Sequence, residues 1–539
     1  MNTARRSLIS LKSWELPKQK SSCAPPGIWT NIDNDITPVS RRTWTIYMII
    51  GFWASDYLSI QSYENPSSAL IIGLSWRQAM MNSILGLFLI AIPITLNGVM
   101  GSDLHVPFAV ANRASFGYLF SRFAIVTRFC TALFWHAIQT FSGSISMYYV
   151  IASIWPRFLD LENSISPSSG ITSAQMVAHF VFFVLQFPIM TIPPHKLGWF
   201  FMLKIVIVVA CLIGMVSGIT KMSGGTGDIF RLDASLSGSA KIWATLHTLN
   251  STIGGWATMS TNISDFTRYL KGSKSQYFQV VIIPVFAVFV TMIAIVCSSA
   301  AKVLYGEYIW DPTDFAAIWI STGPKGRAAS FFMCFSWCLA QIGTNLSANV
   351  ISAANDLTSL FPRFLNIRRS AIIVTITASW IMVPWKIVYS AGSLINFMSG
   401  ISLFLAPIFS IMICDYWIVK KRKINVPELY NPHGIYAYDH GINWRAVVAL
   451  VSSIVPNLPG LALSVNSNLD LPVAISRFAT LAYFYGSLSA VLIYYLLNIA
   501  FPHKESLIGH SVWELASEIE TLTSADDQSI CINSEKQFF

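Results

Sequence analysis

The chain has 539 residues, 54% of them hydrophobic and only 11% charged, and its mean hydropathy is +0.55. Soluble domains carry about a quarter charged residues, so the composition excludes an ordinary soluble protein and points to a polytopic membrane protein. The net charge of +9 does not indicate a nucleic-acid binder, because the basic residues gather in short segments between apolar runs.

Residues 1–42 form a polar head with no apolar h-region, so no cleavable signal is expected there. Apolar runs of about 20 residues then follow, each long enough to cross the hydrocarbon core as a helix. They fall at 43–62, 76–100, 123–152, 174–193, 197–219, 242–264, 277–303, 328–358, 371–390, 394–419, 444–465 and 475–500, which makes an all-α bundle of twelve spans. Residues 501–539 read as a mostly disordered polar tail with one short helix near 511–521, and the head to about residue 40 reads similarly.

Basic loop residues alternate sides as the positive-inside rule requires. Arg113, Arg122, Lys196, Arg268, Lys271, Lys274, Arg363, Arg368, Arg369 and the run "KKRK" at 420–423 fall on one side. Asp160, Glu162, Asp228, Asp233, Glu307, Asp311, Asp314 and Asp470 fall on the other. Both termini are therefore expected in the cytoplasm.

The sequence also echoes itself. Trp53 recurs as Trp256, 203 positions on; Trp135 and Gln139 recur as Trp337 and Gln341, 202 positions on. An offset of five spans reverses orientation, which is the inverted 5+5 arrangement (about 43–219 and 242–419) with two further spans outside it. That architecture predicts broken helices in spans 1 and 6. Gly254-Gly255 is a helix-weakening pair in the sixth, and Gly51 is a weaker signal in the first.

Polar groups near span centres are expensive in hydrocarbon and usually face a cavity or one another. Trp135 and Trp256 offer two flat walls for a planar ring. Gln139 and Asn349 offer donors and acceptors for an amide-like edge. The competing readings are packing for the indoles and interhelical hydrogen bonding for the carboxamides. His136 points about 100° away from Trp135 and reads as a packed histidine. Lys204, two turns inside span 5, either snorkels or pairs with an acid or a ligand carbonyl. Asp56 is a coupling candidate or a cap on a helix break. Asp265, Arg268 and Asp356 lie nearer helix ends and suit gating or interhelical ion pairs. Cys334 and Cys338, one turn apart in an apolar run, read as small core residues rather than a metal pair. No phosphate loop, metal-ligand motif or Ser/His/Asp arrangement is present, which argues against a pump or an enzyme.

Seven segments together carry a family resemblance: "NIDNDITPVSRRTW" (31–44), "GLSWRQA" (73–79), "NRASFG" (112–117), "FWHAIQ" (134–139), "NISDFTRYLK" (262–271), "GTNLSANVISAANDLTSLFPRFLNIRR" (343–369) and "LAPIFSIMICDYWIVKKRKINVPELY" (405–430). From about residue 28 to 500 the chain resembles the nucleobase–cation symporter-1 family, in its fungal uracil/allantoin permease branch. The resemblance implies a LeuT-type fold and proton-coupled uptake of a nucleobase or related heterocycle at a fungal-type plasma membrane. It implies that the ring sits between Trp135 and Trp256, that Gln139 and Asn349 bind it, and that Lys204 takes part. The family's sodium-site positions appear as Ala340, Gly343 and Thr344; Gly343 offers no side-chain oxygen, which suits a proton over sodium. Ala137 stands where the family usually has a glycine. Uracil is the first substrate expected and allantoin the second. Same-fold carriage of thiamine or nicotinamide riboside, and a receptor that binds without transport, are the alternatives. No cofactor or nucleic-acid partner is expected; the partners are the small heterocycle, the bilayer and, at the termini, ubiquitin-dependent endocytic machinery.

Overall fold

The computed structural model describes residues 11–17, 23–25, 28–192, 198–225, 229–466 and 468–513. Lys196, Asp228 and the tail beyond 513 lie outside them. Among the described residues the chain is all helix and connecting turns, with three isolated bridges and no sheet.

Each predicted apolar segment contains helix. The elements are α1 (Ile46–Tyr57), α2 (Ile60–Ile71), α3 (Trp76–Leu104), α4 (Ser121–Ile154), α5 (Ser173–Met190), α6 (Gly198–Met222), α7 (Gly238–Gly255), α8 (Ala257–Asn262), α9 (Gln279–Tyr305), α10 (Pro324–Thr344), α11 (Ile351–Leu360), α12 (Ile367–Ile376), α13 (Ala391–Ile413), α14 (Trp444–Ile454), α15 (Leu458–Val465) and α16 (Ala482–Ala500). Among the described residues, seven helices are long and apolar enough to cross a membrane. Large apolar side chains such as Phe180, Val184, Met202, Val206, Val281, Val285, Leu488 and Leu492 are exposed along α5, α6, α9 and α16. A water-facing surface of that kind is unstable, whereas a lipid-facing one costs nothing. The protein is integral to the membrane.

The breaks fall where two spans need them. Span 1 stops at Tyr57 and restarts at Ile60, with the Ser59 hydroxyl accepting from the Ser62 N–H. Gly51 lies inside α1 and marks no break. The span also runs on to Ile71, beyond the expected end at 62. Hydropathy missed α2 because Gln61, Glu64, Asn65, Ser67 and Ser68 are polar yet buried among neighbouring helices. In span 6 the break is at Trp256, directly after the glycine pair. A Cβ on Gly254 would sit 1.9 Å from the Met398 carbonyl of α13, so this glycine also permits a close approach of two backbones.

Span 8 is one path through α10, a π-helical turn at Asn345–Val350 and α11. Span 9 is shorter than the expected 371–390: its helix ends in a π-helical turn at Thr377–Ile381, ahead of Pro384. Packing sorts the helices into two units. α3, α7 and α9 pack together with α2; α4 packs on α10 and α5, and α11 on α12 and α4. α13 lies against α7 and α16, and α14 against α16.

Both described chain ends lie on one face. Residues 31–37 do not form a loose head. Asn31 Nδ2 donates to the Leu365 carbonyl at 3.0 Å, the Tyr430 hydroxyl donates to Asn34 O at 2.8 Å, and the Thr37 N–H donates to His105 O at 2.8 Å. At the other end Val512 pairs with the Ile424–Val426 strip, and the rest of the segment expected to be helical near 511–521 lies outside the described residues.

Candidate functional site

The two helix breaks, α4, α9, α13 and the π-turn enclose a cavity of about 60 Å³. Trp135 and Gln139 enter it from α4, one turn apart on one face. Asp56 and Tyr57 enter from the end of α1, Ser59 and Gln61 from the start of α2, Trp256 and Thr258 from the span-6 break, and Thr344 and Asn349 from span 8. Six residues singled out from sequence thus meet in one place: Asp56, Trp135, Gln139, Trp256, Thr344 and Asn349.

The aromatic lining is ordered by neighbours. Trp256 stacks on Tyr57 with ring centroids 4.5 Å apart and 29° between planes. Trp135 meets Phe397 of α13 edge to face at 5.4 Å. Trp53, the sequence partner of Trp256, is fully buried behind it, 5.6 Å away, and donates its indole N–H to Gln279 Oε1 at 2.8 Å. The Trp135 indole nitrogen, the Tyr57 hydroxyl, the Thr258 hydroxyl and Asp56 Oδ2 are buried without a protein partner. Unsatisfied buried polar groups are costly, and several converging on one cavity mark a ligand site.

The carboxamides are already oriented. Asn349 Nδ2 donates to Gln139 Oε1 at 3.2 Å and to Asn345 Oδ1 at 2.9 Å. Gln341, the sequence echo of Gln139, does not line the cavity. Its Oε1 accepts from the Ile60 N–H at 3.1 Å, and its Nε2 donates to Gln61 Oε1 at 2.9 Å. One carboxamide of the symmetric pair thus faces the cavity while the other caps the first free N–H of α2.

Asp56 is not a cap: Ser59 serves α2, while the Asp56 carboxylate accepts from the Ser347 hydroxyl of the π-turn. Lys204 does not line the cavity either. It is fully buried one layer behind, and its Nζ donates to the Ser55 carbonyl at 2.7 Å and to Thr344 Oγ1 at 2.8 Å. Snorkelling is excluded by that geometry. Gly343 makes the room, since a Cβ there would lie 2.5 Å from Lys204 Cδ. His136 faces away from the cavity, against the Asn345 side chain. Ala137 also faces away, into the apolar cluster formed with Leu133 and Ala340.

The remaining candidates lie at the face carrying the chain ends. Asp356 forms a fully buried ion pair with Arg128 of α4. Asp265 accepts from the Phe108 N–H at 2.9 Å. Arg268 donates to Asp33 O at 2.8 Å and to the Tyr269 hydroxyl at 2.7 Å. None of the three reaches the cavity. Tyr57, Gln61 and Thr258 went unrecognised in the sequence, as did Arg128. An arginine seven residues before Trp135, inside an apolar run, was the readable signal for the last.

An all-helical membrane bundle with two interrupted helices around a polar, aromatic-walled cavity defines a small-molecule membrane carrier. Residues 36–486 match the family described as permeases for cytosine/purines, uracil, thiamine and allantoin. The chain belongs to that family, the nucleobase–cation symporter-1 transporters. It is 37% identical over 492 residues to an uncharacterised permease of Schizosaccharomyces pombe, covering 91% of this chain and 87% of that one. It is 30% identical over 486 residues to the allantoin permease of Saccharomyces cerevisiae, covering 87% and 76%. The structure of Mhp1, a nucleobase-cation-symport-1 family transporter in a closed conformation with bromovinylhydantoin bound, superposes with a TM-score of 0.68. At 21% identity over 90% of this chain and 97% of that one, Mhp1 bears on the fold alone.

Proposed function

We propose that the protein takes up a nucleobase or related heterocycle, uracil first and allantoin second, coupled to protons and by alternating access. The single observation that carries this reading is the cavity itself. The carboxamides of Gln139 and Asn349 line it together with Trp135 and Trp256, beside the two helix breaks. A flat ring with a carbonyl and an N–H on one edge suits those groups: the indoles stack on its faces and the amides take its edge.

Proton coupling is supported by Lys204. Its ammonium bridges a span-1 carbonyl and the Thr344 hydroxyl, a position where a bound cation would otherwise link the same two spans. A proton leaving and rejoining that amine would make and break the link. The matched helix breaks and the tryptophan and glutamine echoes support twelve spans with a 5+5 inverted repeat. Spans 1, 2, 6 and 7 then rock against spans 3, 4, 8 and 9. The loop charge pattern supports cytoplasmic termini, and a plasma-membrane carrier is the matching location.

A second reading has one observation in its favour. The free oxygen of Asp56 lines the cavity beside Tyr57 and Trp256, a set that suits a cationic ring such as thiamine or nicotinamide riboside. Uptake of labelled uracil, allantoin and thiamine by expressing cells at acid pH separates the two. Uracil or allantoin uptake that is lost in Gln139→Ala and Asn349→Ala supports the first reading. Uptake of none of the three sinks both, and uptake indifferent to collapse of the proton gradient sinks the coupling alone.

A further inference from the structure

We infer that Asn345, which does not touch the cavity, is a positioning residue that fixes which hydrogen-bonding groups the substrate site presents. This rests on the reading of the cavity as a heterocycle site. Asn345 opens the π-helical turn and is fully buried. Its Oδ1 accepts one Asn349 Nδ2 hydrogen, and Gln139 Oε1 accepts the other. Both amide hydrogens of Asn349 are therefore spent within the protein. What remains for a ligand is the Asn349 carbonyl and the Gln139 amide NH2, one accepting and one donating group.

Asn345 is itself held from behind. Its Nδ2 donates to Thr140 Oγ1 at 3.1 Å and to Gln186 Oε1 at 3.4 Å. Gln186 Nε2 in turn donates to Thr140 Oγ1 at 3.1 Å and to Ser379 Oγ at 3.4 Å. The chain ends at His179, whose ring bonds Ser144 Oγ at 2.8 Å and the Ser379 carbonyl at 2.9 Å. Every member from Asn345 to His179 is fully buried or nearly so, and they come from four spans: 3, 4, 8 and 9. Water cannot replace a lost partner there, so one amide turns only if its neighbours do. The Asn349 amide is therefore pre-set for a ring that offers a carbonyl next to an N–H. A ring edge that offers only acceptors would have to pull Asn349 Nδ2 off two partners.

Asn345→Leu removes one of those two partners. The preference for an acceptor–donor edge over an all-acceptor edge should then fall by about one hydrogen bond, or about fivefold. The assay is uptake of labelled uracil and of labelled allantoin. Each is competed by the unlabelled parent ring and by its N-methylated counterpart, such as 1,3-dimethyluracil, which keeps both carbonyls and loses both N–H groups. Asn345 does not line the cavity, so the steric cost of the methyl groups is the same in both proteins and drops out of the ratio. Thr140→Val, which cuts the network one step further back, should move the ratio the same way by about twofold. Asn345→Asp keeps an acceptor oxygen towards Asn349 but loses the hydrogens given to Thr140 and Gln186, so its ratio should fall no further than that of Thr140→Val.

A residue with only a structural role would lower the amount of carrier and the maximal rate without changing that ratio. An unchanged ratio in Asn345→Leu or Thr140→Val protein that reaches the membrane overturns the inference. So does an Asn345→Asp ratio that falls as far as that of Asn345→Leu. Wild-type protein that carries neither ring overturns the heterocycle reading, and the inference with it.

Discussion

Arg128 and Asp356 form an ion pair inside the protein, with both side chains fully buried. Arg128 gives Nε and Nη2 to the same carboxylate oxygen, and Nη2 also donates to the Ser352 carbonyl at 2.6 Å. Asp356→Leu leaves the guanidinium with that carbonyl and the more distant Asp265 carboxylate. Removing one member of a buried pair typically costs about 3–5 kcal/mol, because an uncompensated charge stays behind. Arg128→Met combined with Asp356→Leu removes both charges and fills the space with apolar atoms; pairs replaced in this way often lose little. The double variant should therefore lie within about 1 kcal/mol of the parent, while each single variant loses about 3 or more. Denaturant unfolding of the purified carrier in micelles, followed by tryptophan fluorescence, gives the full cycle. Additive losses, with the double variant as unstable as the sum of the singles, would refute the pairing argument.

Other positions separate by the space around them. Gly254→Ala places a methyl 1.9 Å from the Met398 carbonyl and should abolish folded protein in size-exclusion profiles, whereas Gly51→Ala meets nothing within 4 Å and should stabilise α1 by about 0.5–1 kcal/mol. Gly343→Ala drives a methyl to 2.5 Å from Lys204 Cδ; it should displace the amine from Ser55 O and Thr344 and uncouple uptake from the proton gradient more than it lowers ring binding. His105 lies just past the end of α3 with Nδ1 against the Arg268 carbonyl at 2.9 Å, and burial lowers its pKa from the usual 6.5. Below that value the unfolded chain binds a proton that the folded one resists, so stability should fall as the pH drops from about 6.5. His105→Asn, which tolerates the left-handed backbone at φ 55°, should flatten that slope in thermal unfolding scans.

Much of the cavity was legible because its members obey two rules at once. Trp135 and Gln139 share a helix face, and each has an echo in the other half of the chain; few packing residues satisfy both conditions. The echo did not predict that the two halves diverge in use. Gln139 faces the cavity, but Gln341 caps α2, whose first N–H stands beside span 8. Gln61 and the rest of α2 were hidden for a different reason. Helix in the middle of a bundle buries polar groups against protein rather than lipid, so hydropathy stops reporting where the span ends. Lys204 could be read as a buried charge, but its partner was a backbone carbonyl, and no side-chain pattern announces one.

The contacts divide in a way that bears on motion. Within the unit of spans 3, 4, 8 and 9, α4 and α11 are joined by the Arg128–Asp356 ion pair, and the Asn345 network ties spans 3, 4, 8 and 9 to one another. Links from span 1 or 6 to span 8 are single hydrogen bonds: Asp56 with Ser347, Ile60 N–H and Gln61 with Gln341, and Asn262 with Ser352. Lys204 adds one more by joining Ser55 to Thr344. A net hydrogen bond is worth about 0.5–1.5 kcal/mol, and roughly twice that where one partner is charged. Parting the units thus costs only several kcal/mol, while deforming the unit of spans 3, 4, 8 and 9 would break a buried ion pair. A proposed rocking motion therefore has a low-cost seam to follow, and that seam runs through the cavity. Asp56 and Lys204 are the charged members of it, so ligand and proton would act on the same few contacts. Substituting Ser347→Ala, which removes a link across the seam and, within a unit, only the bond of the same hydroxyl to the Gly343 carbonyl one turn back, should raise exchange between conformations without lowering stability by more than about 1 kcal/mol. Accessibility labelling of a cysteine introduced at Thr258 reads that exchange, and unchanged labelling would mean that the seam lies elsewhere.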